Sequence, residues 1–284
     1  MMSSRCGAAR CQVLLVLAYV VVFSGCASVE KPNEVPAVPE IRPGIPAGYL
    51  STQALPNSLV LIPTSPASGS TALALDEEVS RTSLALRGTP RWNLAAEDAN
   101  LRFPRAANAF SCSLNAPITE QDTPHLYTLI RRTLVDAGSS TNLAKEHYMR
   151  ARPFVMNRGP ICTPLAEDSL RNNGSYPSGH AAIGWAWALI LSEIAPERTD
   201  AILARGRAFG QSRVICNVHW QSDVIEGGFM GAATVAVLHA DSVFRADLEY
   251  AKGELATARS KGLKPTRDCK AEAAALAEQT LPAP

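Results

Sequence analysis

The chain has 284 residues, with 27 Lys and Arg against 26 Asp and Glu, for a formal charge of +1. So even a balance gives no sign of the concentrated basic face that a nucleic-acid partner requires, and no such partner is expected. It leaves small anionic substrates open, because two or three local arginines suffice to hold one.

The first 25 residues read as a secretory signal: Arg5 and Arg10 supply a positive start, and an apolar run over 13–23 breaks at Ser24-Gly25-Cys26. That run is too short for a membrane-spanning helix, which needs about 20 apolar residues. Small residues directly before Cys26 resemble the bacterial lipoprotein cleavage site, so Cys26 is the expected lipidated residue and the membrane an expected partner through that anchor. Cleavage there moves the formal charge from +1 to −1, since it removes two arginines and no acid. Eight prolines between residues 31 and 66 disfavour autonomous folding. Residues 26–69 are therefore expected to form a tether, or an arm if 41–60 packs along the domain.

From residue 70 the pattern turns helical. Leu73, Leu75, Val79, Leu84 and Leu86 sit among acids without strand alternation, and 92–110 is alanine-rich with a break at Pro104. Pro124 suits the first turn of a helix whose face is Leu126, Leu129, Ile130 and Leu134, ending at Gly138. The segments 181–194, 199–209, 214–239 and 240–258 follow as helices, with a weak point at Gly227-Gly228. No run of period-two alternation stands out. The expected fold is one all-α domain over 70–262 with a tail over 263–284, its apolar helices central and buried. Cys112, Cys162, Cys216 and Cys269 allow three disulfide pairings, and Cys216 reads equally well as a buried unpaired residue. None of the four has zinc-site spacing, and no metal or cofactor is expected.

Three short segments carry chemistry: KEHYMRARP at 145–153, GSYPSGH at 174–180 and SRVICNVHWQSD at 212–223. Lys145, Arg152 and Arg213 suit the oxygens of a phosphate monoester, which the planar guanidinium fork grips in pairs. Ser178 and the Gly179 amide add donors where a turn enters a helix, itself an anion site. His219 and Asp223, four apart, share one face of a helix, so the carboxylate can fix the imidazole tautomer and leave a lone pair for attack on phosphorus. His180 is then free to protonate the leaving alcohol. His125 and His239 fall near expected helix ends and need no functional role. His147 lies close enough to Lys145 to tune the pH response.

Together these segments spell Lys-x6-Arg-Pro, Pro-Ser-Gly-His and Ser-Arg-x5-His-x3-Asp, which resembles the full signature of the PAP2 and vanadium-haloperoxidase superfamily. Residues 148–154, 174–180 and 110–112 are further similar to the bacterial class A non-specific acid phosphatases, over roughly residues 73–248. The resemblance implies an all-α bundle with the site where helices meet. It implies His219 as nucleophile, Asp223 as its orienter and His180 as general acid, with Lys145, Arg152, Ser178, Gly179 and Arg213 on the phosphate. It further implies a metal-independent enzyme for small organic phosphate monoesters at acid pH, periplasmic, often oligomeric and inhibited by vanadate. Ala181 departs from the threonine of the class A signature. Two alternatives stand beside this reading: a membrane-associated lipid or isoprenoid-pyrophosphate phosphatase, and a lipoprotein scaffold without activity.

Overall fold

A computed structural model describes Val35 and residues 37–278; the expected signal peptide, Cys26 and residues 279–284 lie outside the described residues. The chain is mostly helical and single-domain, as expected, with one small two-stranded sheet that alternation does not announce. Strands β1 (Glu40–Arg42) and β2 (Ile45–Pro46) pair antiparallel around Gly44, whose φ of +77° suits a residue without a Cβ.

This sheet opens the proline-rich segment, which lies against the helices. The Tyr49 and Leu50 amides donate to the Asp136 carboxylate at 2.9 and 3.1 Å, and the Tyr49 hydroxyl donates to Asp247 at 2.6 Å. The Arg132 guanidinium sits 3.6 Å from the Tyr49 ring centroid. Helix α1 (Ser58–Leu61) brings the buried Ser58 Oγ to the Ala144 amide at 3.0 Å.

Helix α2 (Thr71–Ser83) is capped by Ser70, and α3 (Pro90–Asp98) by Thr89 with proline at its first position. A 3-10 turn over Arg105–Phe110 leads to α4 (Ser111–Leu114); the break expected at Pro104 begins earlier, where α3 ends at Asp98, and runs to Pro104. Helix α5 (Pro124–Ser139) buries Leu126, Leu129 and Ile130 and ends one residue past Gly138. Three short helices follow, α6 (Asn142–Tyr148), α7 (Pro153–Asn157) and α8 (Glu167–Arg171). Long helices complete the bundle: α9 (Gly179–Ile194), α10 (Thr199–Ile215), α11 (Gln221–Leu238) and α12 (Ser242–Ser260).

Helix α9 is the centre, packed by α10, α11, α5 and α12. Its residues are apolar nearly all round, which is stable only under burial on most sides. Small residues set the close crossings. A Cβ on Gly227 would stand 2.9 Å from the Ala181 Cβ and collide with the Ser178 carbonyl. The glycine pair 227–228 is therefore a packing feature, and α11 runs through it unbroken.

Two expectations are corrected here. The break between the second and third of the four apolar segments falls at 216–220 rather than 210–213. Gly210 is a close contact to Val224 at this point, whereas Asn217, at φ +60°, reverses the chain in a conformation that asparagine tolerates. The segment beyond 262 is also more than a tail. Helix α13 (Cys269–Ala277) is capped by Asp268 and tied to α4 by the Cys112–Cys269 disulfide. Cys162 pairs with Cys216, which resolves the three pairings and fixes the corner between α10 and α11.

Among the described residues no single helix is long and apolar enough to cross a membrane. The pair α11 and α12 passes only when joined, across a 99° bend.

Candidate active site

The site forms at one end of the bundle, where α9 and α11 begin and α10 ends. Ser178 caps α9, its Oγ accepting the Ala181 amide at 3.3 Å, so its own hydroxyl proton is left to donate. The Gly179 amide lies in the first turn, where a helix offers no internal acceptor. The Ser178 amide donates to the Asp223 carbonyl at 2.8 Å, which binds this turn to the start of α11.

The expected catalytic and phosphate-binding residues come together, though His219 and Asp223 do so by a different geometry. His219 lies before α11, Trp220 is the cap and Asp223 the third helical residue, so the two are not on one helical face. Asp223 Oδ2 accepts the Trp220 amide at 2.9 Å and His219 Nδ1 at 3.2 Å. A carboxylate oxygen can only accept from Nδ1, so Nε2 carries the lone pair. Arg152 Nη1 lies 3.0 Å from it.

Three cations surround that nitrogen. Lys145, on α6, donates from Nζ to the Gly174 and Pro177 carbonyls at 3.1 and 2.8 Å, leaving one ammonium proton uncommitted. Burial and then the Arg152 charge lower its pKa to about 7. Arg152 donates to the carbonyls of Leu170, Val218 and Gly174 at 2.8, 2.8 and 3.2 Å, a fixed wedge rather than a mobile arm. Its pKa falls to about 10, chiefly through burial. Arg213, at the end of α10, is 2 % exposed, yet its Nε and Nη1 have no hydrogen-bond partner within the protein. Burial first, then repulsion from Arg152, lower it to about 10. Buried cations that repel one another and hold free donors favour an anion strongly.

His180, the second residue of α9, places Nε2 3.1 Å from the Ala99 carbonyl just beyond α3. A carbonyl accepts only, so Nε2 is protonated and Nδ1 is the exchangeable position. Burial, followed by the Arg213 charge, holds the His180 pKa well below its ordinary value. Burial and then Arg152 do the same for His219, which keeps its imidazole neutral. Gly174 is required by close approach: a Cβ there would collide with the Lys145 carbonyl and stand 3.1 Å from the Met149 Cα.

Two participants escape the sequence reading. Arg150 Nη1 donates to Asp223 Oδ1 at 2.7 Å, and its Nη2 donates to Asp76 on α2 at 2.8 Å. Arg150 sits inside the first motif but reads there only as part of a resemblance. Nothing local marks Asp76. His147 is exposed on α6, edge-on to Tyr148, while His125 is buried against Tyr250 and His239 meets Glu193 at 3.2 Å. Trp187 lies in the core, and Trp220 covers Arg150 at 5.3 Å. Among the described residues, no group of three or more His, Cys, Asp or Glu is placed to hold a metal ion.

Comparison with known proteins gives the same picture. Residues 124–246 match the family described as the PAP2 superfamily. The chain is 43 % identical to the non-specific acid phosphatase of Providencia stuartii over 231 residues, covering 81 % of this chain and 91 % of that protein. It is 40 % identical to the acid phosphatase of Zymomonas mobilis subsp. mobilis, over 73 % of this chain and 78 % of that one. The non-specific acid phosphatase of Salmonella typhimurium is 42 % identical over 70 % and 80 %.

Proposed function

Because the chain belongs to the PAP2 superfamily, we infer that it is an acid phosphatase hydrolysing phosphate monoesters through a phosphohistidine on His219. One observation carries the mechanism: a neutral imidazole, fixed at Nδ1 by Asp223, has its Nε2 lone pair among three cations, of which Lys145 and Arg213 keep uncommitted donors and Arg152 faces Nε2 itself.

Phosphate enters between Lys145, Arg152 and Arg213, with the Ser178 hydroxyl and Gly179 amide completing its contacts. Its oxygen takes over the Arg152 donor that faces Nε2, which frees the lone pair. His219 Nε2 attacks phosphorus as the ester P–O bond breaks, and His180 Nδ1 gives its proton to the leaving alkoxide. Water then attacks the phosphohistidine, giving its proton to His180, and the P–N bond breaks to release phosphate. The cations stabilise charge on the equatorial oxygens in both steps, so the chain's own residues supply the electrostatics.

The pH dependence follows. Lys145 must be charged, and its pKa near 7 means that kcat/KM falls above about pH 7 as that proton is lost. His180 must be protonated to act as an acid, and its pKa lies below the ordinary value, so the first step speeds up as pH falls. Bound phosphate raises both pKa values, and phosphate affinity therefore increases toward acid. Lys145→Arg, charged at every working pH, should move the alkaline limb upward if Lys145 sets it.

The test is phosphate release from an aryl phosphate between about pH 4 and 9, with EDTA present, by wild type, His219→Ala and His180→Ala. EDTA-resistant turnover lost by roughly 10³-fold or more in His219→Ala supports the phosphohistidine. Full activity in that variant would overturn it.

The pocket suits vanadate as well as phosphate, and competitive inhibition by vanadate belongs to the same proposal. We further place the protein on the periplasmic side of a bacterial membrane, anchored through a lipid on Cys26, and as a homo-oligomer on the resemblance to class A enzymes. The paired cysteines support an oxidising compartment. Cys26→Ser should release the protein from the membrane fraction.

A further inference from the structure

We infer that Arg150 and Asp76 are positioning residues for the nucleophile, Arg150 holding the Asp223 carboxylate from the side opposite His219 and Asp76 holding Arg150. The inference rests on the phosphohistidine reading and deepens it. Asp223 is 0 % exposed. Its Oδ2 is occupied by His219 and Trp220, and its Oδ1 by Arg150. A buried carboxylate without a cation takes up a proton. A neutral Asp223 no longer favours the proton on Nδ1, and the alternative tautomer puts that proton on Nε2, where the lone pair is needed.

Arg150 is itself fixed on every side. Nη1 also donates to Ser222 Oγ at 2.8 Å, Nη2 to Asp76 Oδ2 at 2.8 Å, and the guanidinium lies 5.3 Å from the Trp220 ring and 6.0 Å from that of Tyr176. Asp76 in turn accepts the Ser222 amide at 2.8 Å and the Ser222 hydroxyl at 2.6 Å. One carboxylate on α2 thus holds the first turn of α11 and the arginine that faces its third residue. Both Nη1 protons and one on Nη2 go to Ser222, Asp223 and Asp76, so the inferred role of Arg150 is exerted through Asp223.

Several charges surround Asp223: Arg150 after α6, Lys145 on α6, Arg152 ahead of α7, Arg213 on α10, and the two histidines. Asp76 on α2 and Glu226 on α11 add negative charge. Burial raises the Asp223 pKa, and Arg150 comes first among the groups that lower it. Removing Arg150 must therefore move Asp223 protonation to higher pH and raise the acid limb of kcat.

The experiment compares Arg150→Gln, Arg150→Lys and Asp76→Asn with wild type, measuring kcat and KM for an aryl phosphate across pH and the rate of phosphohistidine formation by rapid quench. Expected are a kcat loss of roughly 10- to 100-fold, the size found when an outer hydrogen-bond partner of a metal-bound histidine is removed, and a KM within about threefold. The acid limb should move upward, with part of the loss restored in Arg150→Lys. If Arg150→Gln does not fold, Asp76→Asn decides on the same readouts. Unchanged kcat and phosphorylation rate overturn the inference, and so does a loss confined to KM. A wild-type enzyme that forms no phosphohistidine sinks the underlying reading instead, which separates the two failures.

Discussion

The pocket is flanked by two buried ionic clusters, Asp76–Arg150–Ser222–Asp223 on one side and Asp98–Arg205–Ser212–Glu272 on the other. In the first, a carboxylate of the cluster is itself the acceptor for His219, the proposed nucleophile. The charges of the second stop one bond short. Asp98 accepts Ser212 Oγ at 2.6 Å and pairs with Arg205, while Arg91 donates to the same Ser212 at 3.0 Å. The pocket sees only neighbours of that cluster: Ala99, whose carbonyl holds His180, and Arg213. Glu272 on α13 closes the second cluster against Arg205 and Arg267. Similar burial thus serves different ends. In the proposed mechanism a charge in the first cluster sets the state of a reacting group, whereas a charge in the second holds α3, α10 and α13 together.

Substitutions can break that contrast. The largest stability effect should come from replacing Cys112 and Cys269 together, which frees α13 and opens a 157-residue loop. A loss of about 3 to 5 kcal/mol is expected in denaturant titration, with kcat retained in the folded fraction. Glu272→Gln should cost about 1 to 3 kcal/mol by removing one side of a buried pair, again without a change in kcat. A kcat change beyond severalfold in either protein would erase the distinction. In the first cluster Ser222→Ala should do the reverse, lowering kcat severalfold at a stability cost of about 1 kcal/mol. The smallest effect is expected from Ser58→Ala, which uncaps α6 from outside at about 1 kcal/mol or less and is read as a small fall in melting temperature.

The sequence makes the proposed chemistry legible because the candidate reacting groups fall in three short runs with fixed spacing. Arg213, His219 and Asp223 lie within 11 residues of one another, and the corner that gathers them is local. Asp76 is 74 residues from the arginine it holds, and an isolated aspartate in an amphipathic helix gives no sign of that distant partner. The His219 and Asp223 spacing leads to the right pair through the wrong geometry, since a helix cap brings residues four apart together as effectively as a helical face. Helix ends are misjudged where a glycine packs closely, as at Gly210, because composition cannot distinguish a break from a tight crossing. The disulfide pairing is likewise fixed only by the approach of α4 to α13 and of Cys162 to the α10–α11 corner.

Prolines argue that residues 31–66 would not fold alone, and Tyr49 and Ser58 find their partners on α5, α6 and α12. Trimming this segment to obtain a smaller enzyme would therefore remove the cap of the helix that carries Lys145, so the shortest active chain should start upstream of Tyr49. The same docking shortens any leash. A lipid on Cys26 would be joined to residue 37 by 11 residues, which reach at most about 40 Å when fully stretched. An enzyme held that way would work in the thin layer of solvent next to the bilayer, on esters that arrive there by diffusion.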